Sequence, residues 1–220
     1  MPLFYRNAGN ASYSLRGSDR PGCLLFAEGD SEALFLDKWL SGTHRDPNDI
    51  AVVCIRGIKK LDAVLKNLRT DENFPAVSRF GFFVDAETIG PTRKSTFITN
   101  VLAKNSVIPA GHKVPAGPLV RINGKRIVLF VSPNNASAGF IEHTVMNEIN
   151  TSELFPCIGT FQRCVAGTSA SPVSPKALVQ AYIGTLKPGL CGTGRGFESG
   201  VLNVMHTAYD NVRATIERVL

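Results

Sequence analysis

The sequence predicts a single α/β domain with a mostly parallel, doubly wound sheet and helices on both of its faces. Three observations carry this reading. Short apolar runs of the kind buried parallel strands show recur at residues 23–27, 50–55, 80–84 and 126–131. Segments with helical apolar spacing lie between them, and that alternation calls for crossover connections. The third observation is size: 220 residues, 44% hydrophobic and 19% charged, suit one sizeable core and argue against disorder.

Residues 1–21 are polar and rich in Asn, Ser, Gly and Arg, and read as a flexible N-terminal arm. The domain then spans 22–220 with a C-terminal helical extension. Its first strand is Cys23-Leu-Leu-Phe-Ala27, followed by the turn Glu28-Gly-Asp-Ser and a helix from Glu32 to Leu40. Leu34, Phe35 and Trp39 share one side of that helix, Trp39 reads as core, and Gly42 ends it. Ile50 to Ile55 is a second strand, Arg56-Gly57 a turn, and Ile58 to Arg69 a helix with Ile58, Leu61, Leu65 and Leu68 in register. Phe80 to Val84 is a third strand that stops at Asp85-Ala-Glu87, with a helix from Thr92 to Lys104 beyond it.

A Pro/Gly-rich stretch, residues 106–118, is the clearest linker. Next, Leu119 to Ile122 and Arg126 to Val131 flank Asn123-Gly124, a strong hairpin signal, and the second arm is apolar enough to enter the main sheet. Gly139 to Ile149 and Pro175 to Leu186 have helical spacing, and a last helix runs from about Val201 to the end.

Composition narrows the function classes. A net charge of +6 fits a polyanionic partner and equally a mildly basic surface. No stretch approaches the roughly 20 apolar residues that span a bilayer, and the start lacks the apolar core of a signal peptide. Five cysteines without a C-x-x-C pair argue against a disulfide framework or a zinc site, so a reducing cytoplasm is expected, with Cys23 and Cys54 buried in strands. Asn10-Ala-Ser and Asn135-Ala-Ser match the glycosylation pattern by chance in such a compartment.

No phosphate-loop motif is present. Gly192-Thr-Gly-Arg-Gly196 lacks the dinucleotide-binding spacing and reads as a flexible loop, with Arg195 a conceivable phosphate contact. Ser169, Ser171 and Ser174 show no serine-hydrolase arrangement, and His44, His112 and His206 are scattered. Lys59-Lys60 and Arg93-Lys94, near strand ends, read as guides for a phosphate backbone or as solvated turns.

In open α/β sheets the working crevice lies outside the carboxyl ends of the strands. The first strand ends on Glu28, with Glu32 one helical turn on. The third ends on Asp85 and Glu87. The strand closing at Val131 leads through an Asn/Ser/Gly loop to Glu142 and its neighbour His143. Gathered anions repel unless a cation joins them, and hard oxygen donors select Mg²⁺ or Mn²⁺ over zinc. Each acid also has a plain reading: a helix-start residue at Glu28, a strand-to-loop transition at Asp85-Ala-Glu87, a solvated helix acid at Glu142. Placement at three strand ends, with none at strand middles, favours the cluster.

Glu28-Gly-x-x-Glu32, Asp85-x-Glu87 and Gly139-x-x-Glu142, each after an apolar strand, resemble the Toprim fold of topoisomerases, DnaG-type primases and OLD nucleases. The likeness is to small stand-alone Toprim proteins of the OLD-like branch and covers about residues 22 to 220. It implies a Toprim-like, Rossmann-like sheet with an inserted hairpin. It makes Glu28 a metal ligand or general base and puts Asp85 and Glu87 at the metal-ligand positions, with Glu32 and Glu142 as further acids. Lys176, after Ser174-Pro175, matches a lysine that stabilises the phosphate in the transition state.

Glu87 departs from the family pattern, where Asp is commoner, and the ATPase portion of full OLD proteins is absent. The resemblance implies a Mg²⁺- or Mn²⁺-dependent endonuclease or nickase acting on nucleic acid, DNA ahead of RNA, in mobile-element or phage defence. Alternatives are a non-catalytic nucleic-acid or nucleotide binding subunit, a small primase, and a structural protein whose acids are inherited only. A homodimer and a separate partner protein both stay open, and no membrane partner is expected.

Overall fold

The computed structural model describes residues 3–6, 22–43, 49–168 and 173–220. Among these residues, six strands form one sheet: β1 (Leu3–Arg6), β2 (Cys23–Ala27), β3 (Ile50–Cys54), β4 (Arg79–Asp85), β5 (Val120–Ile122) and β6 (Lys125–Ser132). Their order is β1-β3-β2-β4-β6-β5, parallel throughout except for β5, which pairs antiparallel with β6. The expected α/β architecture is present, including the hairpin. Asn123 and Gly124 both take positive φ, as a two-residue turn between twisted strands requires.

The central strands are apolar on every residue because both faces are covered. In β2, Cys23, Leu25 and Ala27 pack into one core while Leu24 and Phe26 pack into the other. The first core is closed by α1 (Asp30–Ser41), α4 (Ile141–Ile149), α6 (Pro175–Leu186), α7 (Thr193–Ser199) and α8 (Asp210–Glu217), with α5 (Phe155–Thr168) contributing Ile158. The second is closed by α2 (Leu61–Arg69) and α3 (Pro91–Lys104). Trp39 and the Cys23 and Cys54 side chains are buried, as expected.

The chain leaves β2 for β3 on one side and returns past β2 to β4 on the other. The order therefore reverses at the β2/β4 junction, where the carboxyl ends part and leave a crevice.

Five expectations are corrected. The arm is not wholly irregular, because Leu3–Arg6 pairs in parallel with β3 as an edge strand; the rest of the arm and Asn10 lie outside the described residues, as do His44, Ser169 and Ser171. Residues 106–118 are no loose linker, since Val107, Ile108 and Val114 are buried against the second face. The helix expected from Gly139 begins at Ile141, because Gly139, at φ +145°, first pairs with Glu87 and Phe140 stays extended. The last helix begins at Asp210: Gly200 ends α7 in the left-handed region, and His206 Nδ1 accepts from the Ala208 amide to start a new turn.

The Gly192–Gly196 segment is no flexible loop. It opens α7, which packs on α1 so closely that a Cβ on Gly194 would stand 3.1 Å from the Asp30 carbonyl oxygen and 2.9 Å from Leu34 Cδ1. Glycines that read as looseness in the sequence serve close helix contact here.

A candidate metal and phosphate cleft

Glu28 is the first residue past β2, and its carboxylate ties the parting strands together. Oε2 accepts from the Asp85 amide at 3.1 Å and Oε1 from the Ile58 amide at 3.4 Å. Lys94 Nζ donates to both oxygens, at 3.2 and 3.3 Å, and also meets Glu87 Oε2 at 2.9 Å. Lys94 is 0% exposed, so neither reading of Arg93-Lys94 holds for it: it is no backbone guide and no solvated turn residue. A lysine this deep persists only with charged partners, and it has two. Glu87 reaches it from φ +52°, held by a pair of backbone hydrogen bonds with Gly139.

Among the described residues no such counterion meets the other three acids. Glu32, 3% exposed, folds back so that Oε2 accepts from the Gly29 amide at 2.9 Å. Asp85 Oδ1 accepts from the Ile141 amide at 2.9 Å, which fixes the start of α4 against the end of β4. Glu142, 8% exposed, accepts from the Thr193 hydroxyl at 2.9 Å through Oε1. The Glu32 carboxyl also takes a backbone hydrogen bond from its own residue, whereas no second donor meets the Asp85 or Glu142 carboxyl among the described residues.

Burial, and then the neighbouring charges of Glu142 and Glu28, push the Glu32 carboxyl up to about 7. Burial, and then Glu32, Glu28 and Glu142, push Asp85 up to about 9. At neutral pH this corner of the protein is short of positive charge.

These acids line a cleft of about 450 Å³. Its walls are the first turn of α1 (Gly29 to Glu32), the start of α4 (Phe140 to Glu142) and the start of α6 (Ser174 to Lys176), with Asp85 between them. Three helices thus turn their N-terminal ends, with the partial positive charge of the helix dipole, on one space. Ser174 caps α6 by accepting from the Ala177 amide at 3.2 Å, which leaves the exposed Lys176 at the rim.

Of the residues expected at the site, Glu32, Asp85, Glu142 and Lys176 line this cleft, whereas Glu28 and Glu87 meet at Lys94 beside it. Lys94 as their buried partner and Thr193 as the donor to Glu142 were not anticipated. The basic pair at Arg93-Lys94 pointed at the first, and nothing local pointed at the second.

The carboxylates of buried Glu32 and Glu142 and of half-buried Asp85 are hard oxygen donors, the kind that suits a divalent cation by chemistry. Among the described residues, no three His, Cys, Asp or Glu side chains are gathered closely enough to hold a metal ion. No helix among them is long and apolar enough to cross a membrane.

Fold and site together define an α/β protein with carboxylates at a sheet switch point and a cleft beside them. The chain belongs to the family described as Protein of unknown function (DUF3226), which matches residues 23–219. No curated protein and no solved structure matches the chain.

Proposed function

We propose that the cleft binds a divalent cation, Mg²⁺ or Mn²⁺, and that the protein carries out phosphodiester chemistry on nucleic acid as an endonuclease or nickase of Toprim-like, OLD-like type. The observation that carries this reading is the uncompensated carboxylate group of Glu32, Asp85 and Glu142 in a cleft ringed by three helix N-termini and Lys176. Acids alone would attract a cation, and helix N-termini alone would attract an anion. A cleft offering both suits a phosphate bridged to a metal.

A bound cation supplies polarisation of a phosphoryl oxygen and a more acidic coordinated water. The protein's own residues do the rest. Glu32, Asp85 and Glu142 would hold the cation once their carboxylates draw together around it, and the Gly29, Ile141 and Thr193 donors brace those carboxylates from behind. Lys176 faces the charge that develops on the phosphate. Glu28, with both oxygens occupied, acts as a positioning residue that joins β2, β4 and α3.

The test is incubation of supercoiled plasmid with Mg²⁺ and then Mn²⁺, with Glu32→Gln and Asp85→Asn proteins in parallel. Nicking by the wild type that both substitutions abolish is expected. Absence of nicking in either metal contradicts the catalytic reading.

One observation favours a second reading, a non-catalytic nucleic-acid binding subunit. Lys94 and two backbone amides saturate Glu28, the acid that the Toprim resemblance makes a metal ligand or general base. Metal-dependent DNA binding without nicking would support it.

A further inference from the structure

We infer that Phe140 is a base-stacking platform and that the cleft takes an unpaired nucleotide of a single strand. This rests on the nucleic-acid reading above and narrows its substrate class.

Phe140 is the N-cap residue of α4, a position that favours Ser, Thr, Asp or Asn because a side-chain oxygen there can accept from the first helical amides. Its ring does no capping. The turn is closed instead by His143, whose Nδ1 accepts from the Phe140 amide at 3.1 Å. Nor does the ring serve the core: Phe140 is 40% exposed, while its neighbour Ile141 is buried. Neither local structure nor packing accounts for an aromatic side chain at this position.

The ring is nonetheless held. It lies nearly parallel to the His143 imidazole, with centroids 5.9 Å apart and an interplanar angle of 18°. Gly139 permits this arrangement, since a Cβ there would stand 3.0 Å from His143 Nδ1. Phe140 also walls the cleft that contains Glu32, Asp85 and Glu142.

A flat apolar face, ordered in advance and set beside a phosphate-seeking site with Lys176 on its rim, is the combination that single-strand binding uses. Bases stack on the aromatic ring while cations follow the backbone. A base inside a duplex has both faces covered and cannot use the platform without being flipped out. The cleft's volume falls in the range of about 300–1,000 Å³ common to small-molecule sites, enough for one nucleotide rather than a duplex.

The experiment measures binding of fluorescein-labelled oligothymidylate, and of the same strand annealed to oligoadenylate, in Ca²⁺ by anisotropy. Phe140→Ala and Phe140→Trp proteins are compared with wild type. The single strand is expected to bind more tightly than the duplex, and Phe140→Ala to weaken it about 5- to 100-fold, the range for one lost base–aromatic stack. Phe140→Trp should keep the affinity and be quenched by oligothymidylate but not by an abasic strand of equal length. The protein's one tryptophan, Trp39, is buried and will not contribute to that quenching.

Equal affinity of Phe140→Ala and wild type, or an unquenched Phe140→Trp, overturns the inference even if plasmid is nicked. Quenching together with the loss in Phe140→Ala upholds it even if no plasmid is nicked, in which case only the nuclease reading falls. Absence of binding to either oligonucleotide overturns both.

Discussion

Two groups of acids sit side by side at the end of the sheet, and the protein treats them differently. Glu28 and Glu87 share a cation supplied by the chain, Lys94, buried between them. Among the described residues no such cation meets Glu32, Asp85 and Glu142, whose carboxyls accept from backbone amides and a threonine hydroxyl. The first arrangement is complete as it stands and joins three elements. The second is held by neutral hydrogen-bond donors alone among the described residues. The difference separates acids that join the strand ends from acids that line the cleft beside them, although the sequence places both kinds alike near strand ends.

The largest effect is expected from breaking the neutralised group. Lys94→Met keeps the bulk but leaves Glu28 without its counterion in a buried setting, a loss of about 3–5 kcal/mol. Urea unfolding would register it as a lower midpoint with an unchanged slope. A loss within about 0.5 kcal/mol, the range of an ordinary surface substitution, would mean that the ion pair does not hold the strand ends.

Next comes the uncompensated group, where removing charge should help. Asp85, raised from 3.8 to about 9, and Glu32, raised from 4.5 to about 7, bind protons in the folded state that the unfolded chain has lost. Folded protein therefore carries more protons between about pH 4 and 9, and stability falls as pH rises through that window in chelator. Asp85→Asn, still able to accept from the Ile141 amide, should be more stable than wild type at pH 8 by on the order of 1–3 kcal/mol, with no gain near pH 4. Melting curves at the two pH values decide it; a destabilised Asp85→Asn at pH 8 would show that the carboxylate is already balanced.

The smallest effect concerns the support of this group. Thr193→Val removes the hydroxyl that orders Glu142 and should cost about 1 kcal/mol in thermal or urea unfolding. If nicking is present, it should fall by more than that stability loss explains, because Glu142 is then left unfixed. An unchanged rate would place Glu142 outside the working group.

Much of the fold was legible. Runs such as Cys23–Ala27 and Phe80–Val84 leave only a strand buried on both faces, and Asn123-Gly124 allows little but a tight hairpin. The acids were legible for the same reason, since a buried strand puts its first charged residue at its end.

What escaped depended on contacts distant in sequence. Lys94 pairs with Glu28 across 66 positions, and its neighbours Arg93 and Ser95 look like any solvated helix start. Thr193 meets Glu142 across 51 positions from within a glycine-rich segment whose helix is justified only by α1 beneath it. α5 carries Pro156, Gly159 and Gly167 and gives no clear helical spacing. Local pattern can place a charge at a strand end but cannot say whether another part of the chain neutralises it.

The central claim is that the Glu32, Asp85 and Glu142 group takes a cation while the Glu28 and Glu87 pair does not. The most direct test is the melting temperature at pH 8 with and without Mn²⁺ for wild type, Asp85→Asn and Glu87→Gln. A ligand that binds only the folded state adds about 2.7 kcal/mol at a concentration 100 times its dissociation constant, a shift of several degrees for a chain of this size. The account predicts that shift in wild type and in Glu87→Gln and its loss in Asp85→Asn. No shift in wild type, or a shift that Asp85→Asn keeps and Glu87→Gln loses, would contradict it.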